Sequence, residues 1–327
     1  MLHIAMSDVK KIKIKMETTK SKVIKKIANE NGRALNGHVA DAKRLPVNKT
    51  YKLYIDGKFP RTESGRYYEL KDKNGKTIAN ICRSSRKDLR ESIVSNRKAQ
   101  PEWSKRSAFN KAQIIYRIAE TLEGRKAQFI STMQQQGFSA VNAEKEVTDS
   151  IDLLIYYAGW ADKYIQVFSS VNPVESSHFN FSYPEPMGIA AIIADAGSPL
   201  LQMTAAIAPV ICGGNTCTIV TAEKYPLTAI EFAEVLHASD VPAGTINILT
   251  AIRKELISHA STHMDINAFI YNDLNKDEIK TVQVNAALNV KRAIDFSKHD
   301  VLSPYRIMSC QENKNYMASC RYIKFVL

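Results

Sequence analysis

The stretch Glu185–Thr250, EPMGIAAIIADAGSPLLQMTAAIAPVICGGNTCTIVTAEKYPLTAIEFAEVLHASDVPAGTINILT, decides the fold of this chain. Its apolar pattern alternates between short runs of strand length and longer runs at helical spacing. Gly188–Ala194 is a continuous apolar run of the kind that forms a buried parallel strand. Ser198 and Pro199 predict a helix start, because serine caps a helix N-terminus and proline fits the first helical position. The Gly213–Gly214 pair ends that helix.

The alternation continues through the rest of this stretch. Strands are predicted at 216–221 and 245–250, and a helix opened by Pro226 lies between them at 227–238. Strand–helix–strand alternation with short loops requires parallel pairing, because each crossover returns the chain to the same end of the sheet. We therefore predict an α/β fold with a parallel Rossmann-like sheet flanked by helices.

The residues before this stretch predict a helical layer and one exposed strand. A helix is predicted at Ala108–Glu123, with its isoleucines and Leu122 on one face. A second long helix is predicted at Ala143–Gln166. Amphipathic helices of this kind pack one face on the core. Ser176–Tyr183 alternates between polar and aromatic residues, as a strand with two different faces does.

Several short motifs follow one another in a fixed order: EPMG, SPLL, APV, GGNT, the glutamate of TAEKYPLTA, and VPAGTIN. Together they resemble the cofactor-binding domain of the aldehyde dehydrogenase superfamily. Upstream, YIDGKF, AQPEW and EVTDSIDLLIYYAGWADKY are similar to stretches at the expected places, so the resemblance covers roughly Tyr51–Phe296. The resemblance implies the fold of enzymes that oxidise aldehydes with NAD(P). It also implies a β-arm at about residues 170–184 that joins subunits.

The catalytic residues that the resemblance implies are missing from this sequence. Where the family has an asparagine that holds the oxyanion, this chain has Gly197, with the acidic Asp195 nearby. Losing one oxyanion donor typically costs about 10²–10³ in rate. The position of the family's general base is Phe296, and residues 297–327 are too few to form the domain that carries the nucleophilic cysteine. We therefore predict no catalytic residue. The chain most resembles the inactive second half of a long, two-part branch of the superfamily.

The cofactor contacts are also reduced. A Lys-Pro pair that reaches the adenosine ribose in the family is Val220-Thr221 here, and only Glu223 remains. A Gly-Ser-Thr-type turn below the pyrophosphate is replaced by a segment that contains Tyr271 and Asp273. Phosphate binds at a helix N-terminus when free N–H groups face it and glycine lets the backbone approach. We therefore expect no cofactor, with Glu223 as a vestigial contact.

Positive charge is concentrated before the predicted domain. Residues 1–50 hold ten lysines and two arginines against four acidic residues, an excess of eight out of a net charge of +12. Such an arm could bind a polyanion. It has no aromatic residue to stack a base, so a solvated extension is favoured over nucleic-acid binding. We divide the chain into this extension, a cofactor-binding domain at 51–296 and a tail at 297–327.

Cysteine and histidine usage predicts neither disulfides nor a metal. The five cysteines are scattered and unpaired in spacing, which indicates a reducing, cytoplasmic setting. His259 and His263 could share a helix face, but the sequence offers no third ligand. With no apolar run long enough to span a bilayer, we expect no membrane association.

Three functions stay open. The first is a non-catalytic structural or interaction protein. The second is a component of an NAD(P)-dependent aldehyde oxidoreductase whose missing half another chain supplies, and the third is a polyanion-binding protein that uses residues 1–50. We expect a homo-oligomer or a complex with a catalytic aldehyde dehydrogenase-like chain. In the family, a strand that follows the catalytic domain completes the β-arm, so we expect an unpaired sheet edge here. Arg321–Leu327 has the alternation of a strand and could cover that edge. We expect subunits to associate through Ser176–Tyr183.

Overall fold

The computed structural model describes residues 48–72, 74–194 and 197–319. Asp195, Cys320, Arg321–Leu327 and most of the basic extension therefore lie outside the described residues. The strands are β1 (Thr50–Tyr51), β2 (Tyr67–Lys71), β3 (Thr77–Cys82), β4 (Ser170–Asn172), β5 (His178–Pro186), β6 (Ile189–Ile193), β7 (Thr216–Val220), β8 (Ile246–Leu249), β9 (Ala268–Tyr271), β10 (Arg292–Asp295) and β11 (Gln311–Ser319). The helices are α1 (Arg86–Lys105), α2 (Ala108–Gly124), α3 (Lys126–Gln135), α4 (Ala140–Trp160), α5 (Tyr164–Phe168), α6 (Leu201–Cys212), α7 (Pro226–Ala238), α8 (Arg253–Thr262), α9 (Lys276–Ala287) and α10 (Tyr305–Met308).

A five-stranded parallel sheet forms the centre of the fold, in the order β10-β9-β6-β7-β8. Every residue of β6, β7, β8 and β9 is buried. Strands buried on both faces have nearly continuous apolar sequences, which is the pattern that Gly188–Ala194 showed in the sequence. The predicted α/β fold with a parallel sheet is confirmed.

Helix α6 begins later than the sequence predicted. Ser198 does not cap it, because the helix starts at Leu201 and residue 200 makes no side-chain cap. The first amides are satisfied from another helix: a carboxylate oxygen of the buried Glu146 on α4 accepts the N–H groups of Leu200 at 2.8 Å and Leu201 at 3.3 Å. A carboxylate at a helix N-terminus interacts favourably with the positive end of the helix dipole. The cap is therefore a tertiary contact, which a local sequence signal does not report.

The helical layer packs around α2 and α4. Ile115, Ile118 and Leu122 of α2 are fully buried in one cluster with Tyr157 of α4. The sequence predicted one helix over 143–166, whereas the structure ends α4 at Trp160 and forms the short α5 after a turn. The predicted face of α2 is confirmed, and α4 carries the buried residues that its spacing predicted.

A three-stranded antiparallel β-arm, made of β4, β5 and β11 in the order β11-β5-β4, stands apart from the central sheet. The β11 strand pairs with β5 along its full length, from Gln311 opposite Pro186 to Ser319 opposite His178. The expectation that residues 297–327 would leave this edge of β5 bare was therefore wrong. The third strand comes from 311–319, because residues 296–310 are enough to reach it. The role predicted for Arg321–Leu327 falls outside the described residues.

The segment 296–310, here called the connector, joins β10 directly to β11 and packs into the core. Arg306 is 2% exposed and donates to the carbonyl oxygens of Ala205 at 3.1 Å, Phe296 at 2.8 Å and His299 at 2.8 Å. The Tyr157 hydroxyl donates to the carbonyl of Val301 at 2.8 Å. These hydrogen bonds from buried side chains satisfy backbone carbonyls of the connector and of helix α6. The connector is thus a fixed part of the fold.

None of the helices in the described part of the chain is long and apolar enough to cross a bilayer.

Candidate functional site

An open cleft of about 390 Å³ lies at the carboxyl ends of β6, β7 and β8, beside the loop that leads from β9 into α9. In open α/β sheets ligands bind at these strand ends, next to the point where the strand order reverses. Here the order reverses between β6 and β9. This central cleft is lined by Ala194, Thr221, Ala222, Glu223, Lys224, Ile252, Arg253, Lys254, Asp273, Asn275 and Glu278.

Glu223, the cofactor contact that the sequence predicted, lies in this cleft after β7. Its Oε1 accepts the backbone N–H of Arg253 at 2.7 Å. Arg253 is the first residue of α8, so the carboxylate satisfies one of the amides that a helix leaves free at its start. The structure therefore gives Glu223 a contact within the protein.

Arg253 reaches across the central cleft. Its Nη2 lies 3.1 Å from Oε2 of Glu278 on α9, and its Nη1 donates to the carbonyl oxygen of Asp273 at 2.9 Å. The side chains of the pair are 29% and 10% exposed. An ion pair with one partner this well shielded is screened less by water than a surface pair. The guanidinium thus links the start of α8 to the start of α9.

The N-terminus of α9 is closed by its own residues. Asn275 accepts the N–H of Glu278 at 2.9 Å, while the Glu278 carboxylate accepts the N–H of Asn275 at 3.1 Å. This reciprocal capping box occupies two of the donors that a phosphate would need. Asp277 and Glu278 also place two acidic residues in the first turn. The residues present therefore do not fit the pyrophosphate of a nicotinamide dinucleotide.

The residue at the predicted general-base position and the four described cysteines are buried. Phe296 is fully buried, so an apolar ring occupies the predicted base position. Cys82, Cys212, Cys217 and Cys310 are free and buried. Burial raises the pKa of the Cys212 and Cys310 thiols to about 12, and also raises that of Cys217. Nucleophilic attack needs a thiolate, which these three sites disfavour.

The two histidines that share helical spacing, His259 and His263, lie at the end of α8. His263 follows the last residue of α8, and its Nδ1 accepts the N–H of Asp265 at 3.3 Å. Across residues 48–72, 74–194 and 197–319, no group of three or more histidines, cysteines or acidic residues could hold a metal ion.

The sequence did not single out Arg253, Asn275 or Glu278. A signal existed for two of them, since asparagine followed three positions later by glutamate is a capping-box pattern. Arg253 gave no local signal, because its partner Glu278 lies on a different helix.

A parallel sheet with a cleft at its strand ends places the chain in the class of Rossmann-like folds. The aldehyde dehydrogenase family model matches residues 60–314, which is most of the chain. This protein therefore belongs to the aldehyde dehydrogenase family.

Similar proteins extend well beyond the region that this chain matches. An aldehyde dehydrogenase of Aspergillus niger is 28% identical over 244 residues, covering 73% of this chain and 48% of the relative. An omega-crystallin of Enteroctopus dofleini is 27% identical over 255 residues, covering 76% and 51%. The chain thus spans about half the length of the curated relatives it matches.

Solved structures agree with this fold. A lactaldehyde dehydrogenase superposes with a TM-score of 0.72 at 21% identity, over 76% of this chain and 52% of that one. The NAD⁺ complex of an aldehyde dehydrogenase from Bacillus cereus gives a TM-score of 0.71 at 20% identity, over 75% and 50%. A 3,6-anhydro-L-galactose dehydrogenase in complex with NAP gives 0.71 at 20% identity, with 75% and 52% covered. Members of this family therefore bind NAD(P).

Proposed function

We propose that this chain is a non-catalytic member of the aldehyde dehydrogenase family that acts by association through its β-arm. The connector carries this proposal. Residues 296–310 lead from the end of the cofactor domain straight to β11, at the place where the resemblance puts the catalytic domain. The arm through which we propose association has three strands, whereas the segment at the expected place of the chemistry is a short link anchored by a few buried residues.

The candidate site supports the same function. An apolar ring at Phe296 cannot exchange a proton, and Gly197 has no side-chain donor for an oxyanion. General acid–base catalysis contributes typically about 10²–10⁴ to a rate, so its loss alone reduces turnover severely. We infer that the chain needs no nicotinamide cofactor for its role.

The β-arm offers a surface for association. Phe181 stacks on Tyr316 with ring centres 5.5 Å apart, and Phe179 lies 5.6 Å from Phe181 on the same face. Phe179 and Tyr316 are each about two-fifths exposed. The outer edge of β11 has no partner strand in the described sheet. Exposed aromatic faces and open strand edges favour pairing with another chain.

We propose two partners for this surface: a second copy of the chain, or a catalytic aldehyde dehydrogenase-like chain. The decisive experiment combines size measurement with activity. The purified chain is assayed with aldehydes and NAD(P)⁺ while light scattering reports its mass. Aldehyde turnover by the isolated chain contradicts the non-catalytic role, and a persistent monomer that associates with neither partner contradicts the arm's role.

A second function has one specific observation in its favour. Because the chain spans about half of its relatives, a separate chain could supply the catalytic part of an NAD(P)-dependent oxidoreductase. Co-expression with a catalytic family member tests this: activity that needs both chains, and that is lost when Glu223 is replaced, would favour the shared enzyme over a non-catalytic partner.

A further inference from the structure

Arg253 lies where the central cleft would have to admit a dinucleotide. We infer that Arg253, held by Glu278 and Asp273, excludes nucleotides from the cleft of this chain. This inference rests on the proposed non-catalytic function and identifies a residue that determines ligand specificity.

The geometry fixes the arginine at both ends. Its backbone N–H donates to Glu223 on one wall of the cleft, and its guanidinium contacts Glu278 and the carbonyl of Asp273 on the other. Side-chain and main-chain contacts thus join the loop after β7, the start of α8 and the start of α9. A ligand that lies along the strand ends has to displace this bridge.

The local charge opposes such displacement. Releasing Arg253 would leave the largely shielded Glu278 carboxylate without its cation, beside Asp277 in the same helical turn. Leaving a buried charge unpaired is strongly unfavourable, so the internal ion pair and an anionic ligand compete for the same space.

The opposite role for Arg253 is a phosphate ligand, as arginines often are. The two roles predict opposite results when the side chain is removed. If Arg253 attracted phosphate, Arg253→Ala would weaken binding. If its contacts with Glu278 and Asp273 compete with the ligand, Arg253→Ala tightens binding even though the site loses a positive charge.

The test titrates the full chain with ADP-ribose and NAD⁺ by calorimetry and compares wild type with Arg253→Ala. Lys254→Ala is the matched control, because Lys254 lines the same cleft and is exposed. Both substitutions remove one positive charge from the cleft. We expect Arg253→Ala to bind at least about tenfold more tightly than wild type, a difference of about 1.4 kcal/mol. We expect Lys254→Ala to bind no more tightly than wild type.

Thermal unfolding first verifies that each variant is folded. Where Arg253→Ala is unfolded, Arg253→Gln replaces it and is expected to change affinity in the same direction. Equal or weaker binding by the folded variant, or micromolar binding by wild type, overturns the inference. These results leave the proposed function separate, since aldehyde turnover rather than nucleotide affinity decides that question.

Discussion

The guanidinium carbon of Arg306 lies 4.7 Å from the centre of the Phe296 ring, at the start of the connector. The same guanidinium donates to the Phe296 carbonyl at 2.8 Å. One buried side chain therefore holds both the ring and the backbone of the residue that stands at the family's general-base position. The contact fixes the connector where it leaves the parallel sheet.

Replacing Arg306 by alanine should destabilise the protein. The carbonyls of Ala205 and His299 lose the guanidinium donor, while that of Phe296 keeps the N–H of His299 at 3.3 Å. Each buried unsatisfied group costs about 1–3 kcal/mol, so we expect a loss of about 3 kcal/mol in the free energy of unfolding. Urea denaturation measures it. Lys298→Ala, on the same connector with a side chain 74% exposed, should change stability by no more than about 0.5 kcal/mol. Equal stability of the two variants would show that Arg306 does not anchor the connector.

Restoring a carboxylate at position 296 should not restore chemistry. Phe296 is fully buried, so Phe296→Glu places an ionisable group in an apolar site, and we expect a loss of about 3 kcal/mol or more in stability. Neither wild type nor this variant should oxidise any of a panel of aldehydes, as followed by the absorbance of reduced nicotinamide. Turnover that disappears when one of the cysteines is replaced would contradict the prediction.

Glu223 should contribute to stability rather than to cofactor affinity. Its carboxylate accepts an N–H at the start of α8, so Glu223→Ala should lower the free energy of unfolding by roughly 1 kcal/mol. Glu223→Gln keeps an acceptor and should lose less. Nucleotide binding should be equally weak in all three proteins. A micromolar dissociation constant for wild type, lost in the alanine variant, would instead identify a working cofactor site.

Lys291 should make stability increase at alkaline pH. Its Nζ donates to the carbonyls of Ala260, Ser261 and His263 at the end of α8, and burial lowers its pKa from 10.5 to about 8. Between these two values the unfolded chain binds more protons than the folded one, so the free energy of unfolding rises with pH. Urea denaturation across this range, compared with Lys291→Met, isolates the effect. A difference between the two proteins that stays constant with pH would refute it.

The chain should form dimers or larger assemblies through its arm. Phe179→Glu adds a charge to the exposed aromatic face and should shift the mass towards the 36.6 kDa monomer. Val141→Glu is the control, because Val141 is an exposed apolar residue of α4, 75% accessible and outside the arm. Light scattering behind a sizing column reports the mass. A wild-type monomer that is unchanged by deleting Arg321–Leu327 would exclude both the arm and the tail as self-association surfaces.

Local periodicity was sufficient to predict three of the five strands of the parallel sheet and the helices between them. The β6 run and the buried face of α2 depend only on residues close in sequence, and both appear as predicted. The start of α6 was misplaced, because its amides are satisfied by Glu146 from a distant helix. The third strand of the arm was missed for a similar reason, since its pairing with β5 joins residues far apart in the chain.

The candidate site was predictable in position but less so in content. The resemblance indicated Glu223 as a vestigial cofactor contact, and in the structure this residue lines the central cleft. Its contact with the N–H of Arg253, and the pairing of Arg253 with Glu278, depend on how two loops and two helices meet. No spacing rule connects such residues, so the sequence alone could not predict which groups line the cleft together.

The pairing of β11 with β5 also determines the order in which the strands of the β-arm can pair during folding. Ser182 donates to the Asn315 side chain at 2.7 Å across 133 residues of intervening chain. Closing a loop of that length is entropically costly, and the ribosome delivers β11 only after the whole central sheet has been synthesised. During translation the edge of β5 that later binds β11 is therefore unpaired for that interval. A partner that supplies a strand has its widest kinetic opportunity then, before β11 emerges.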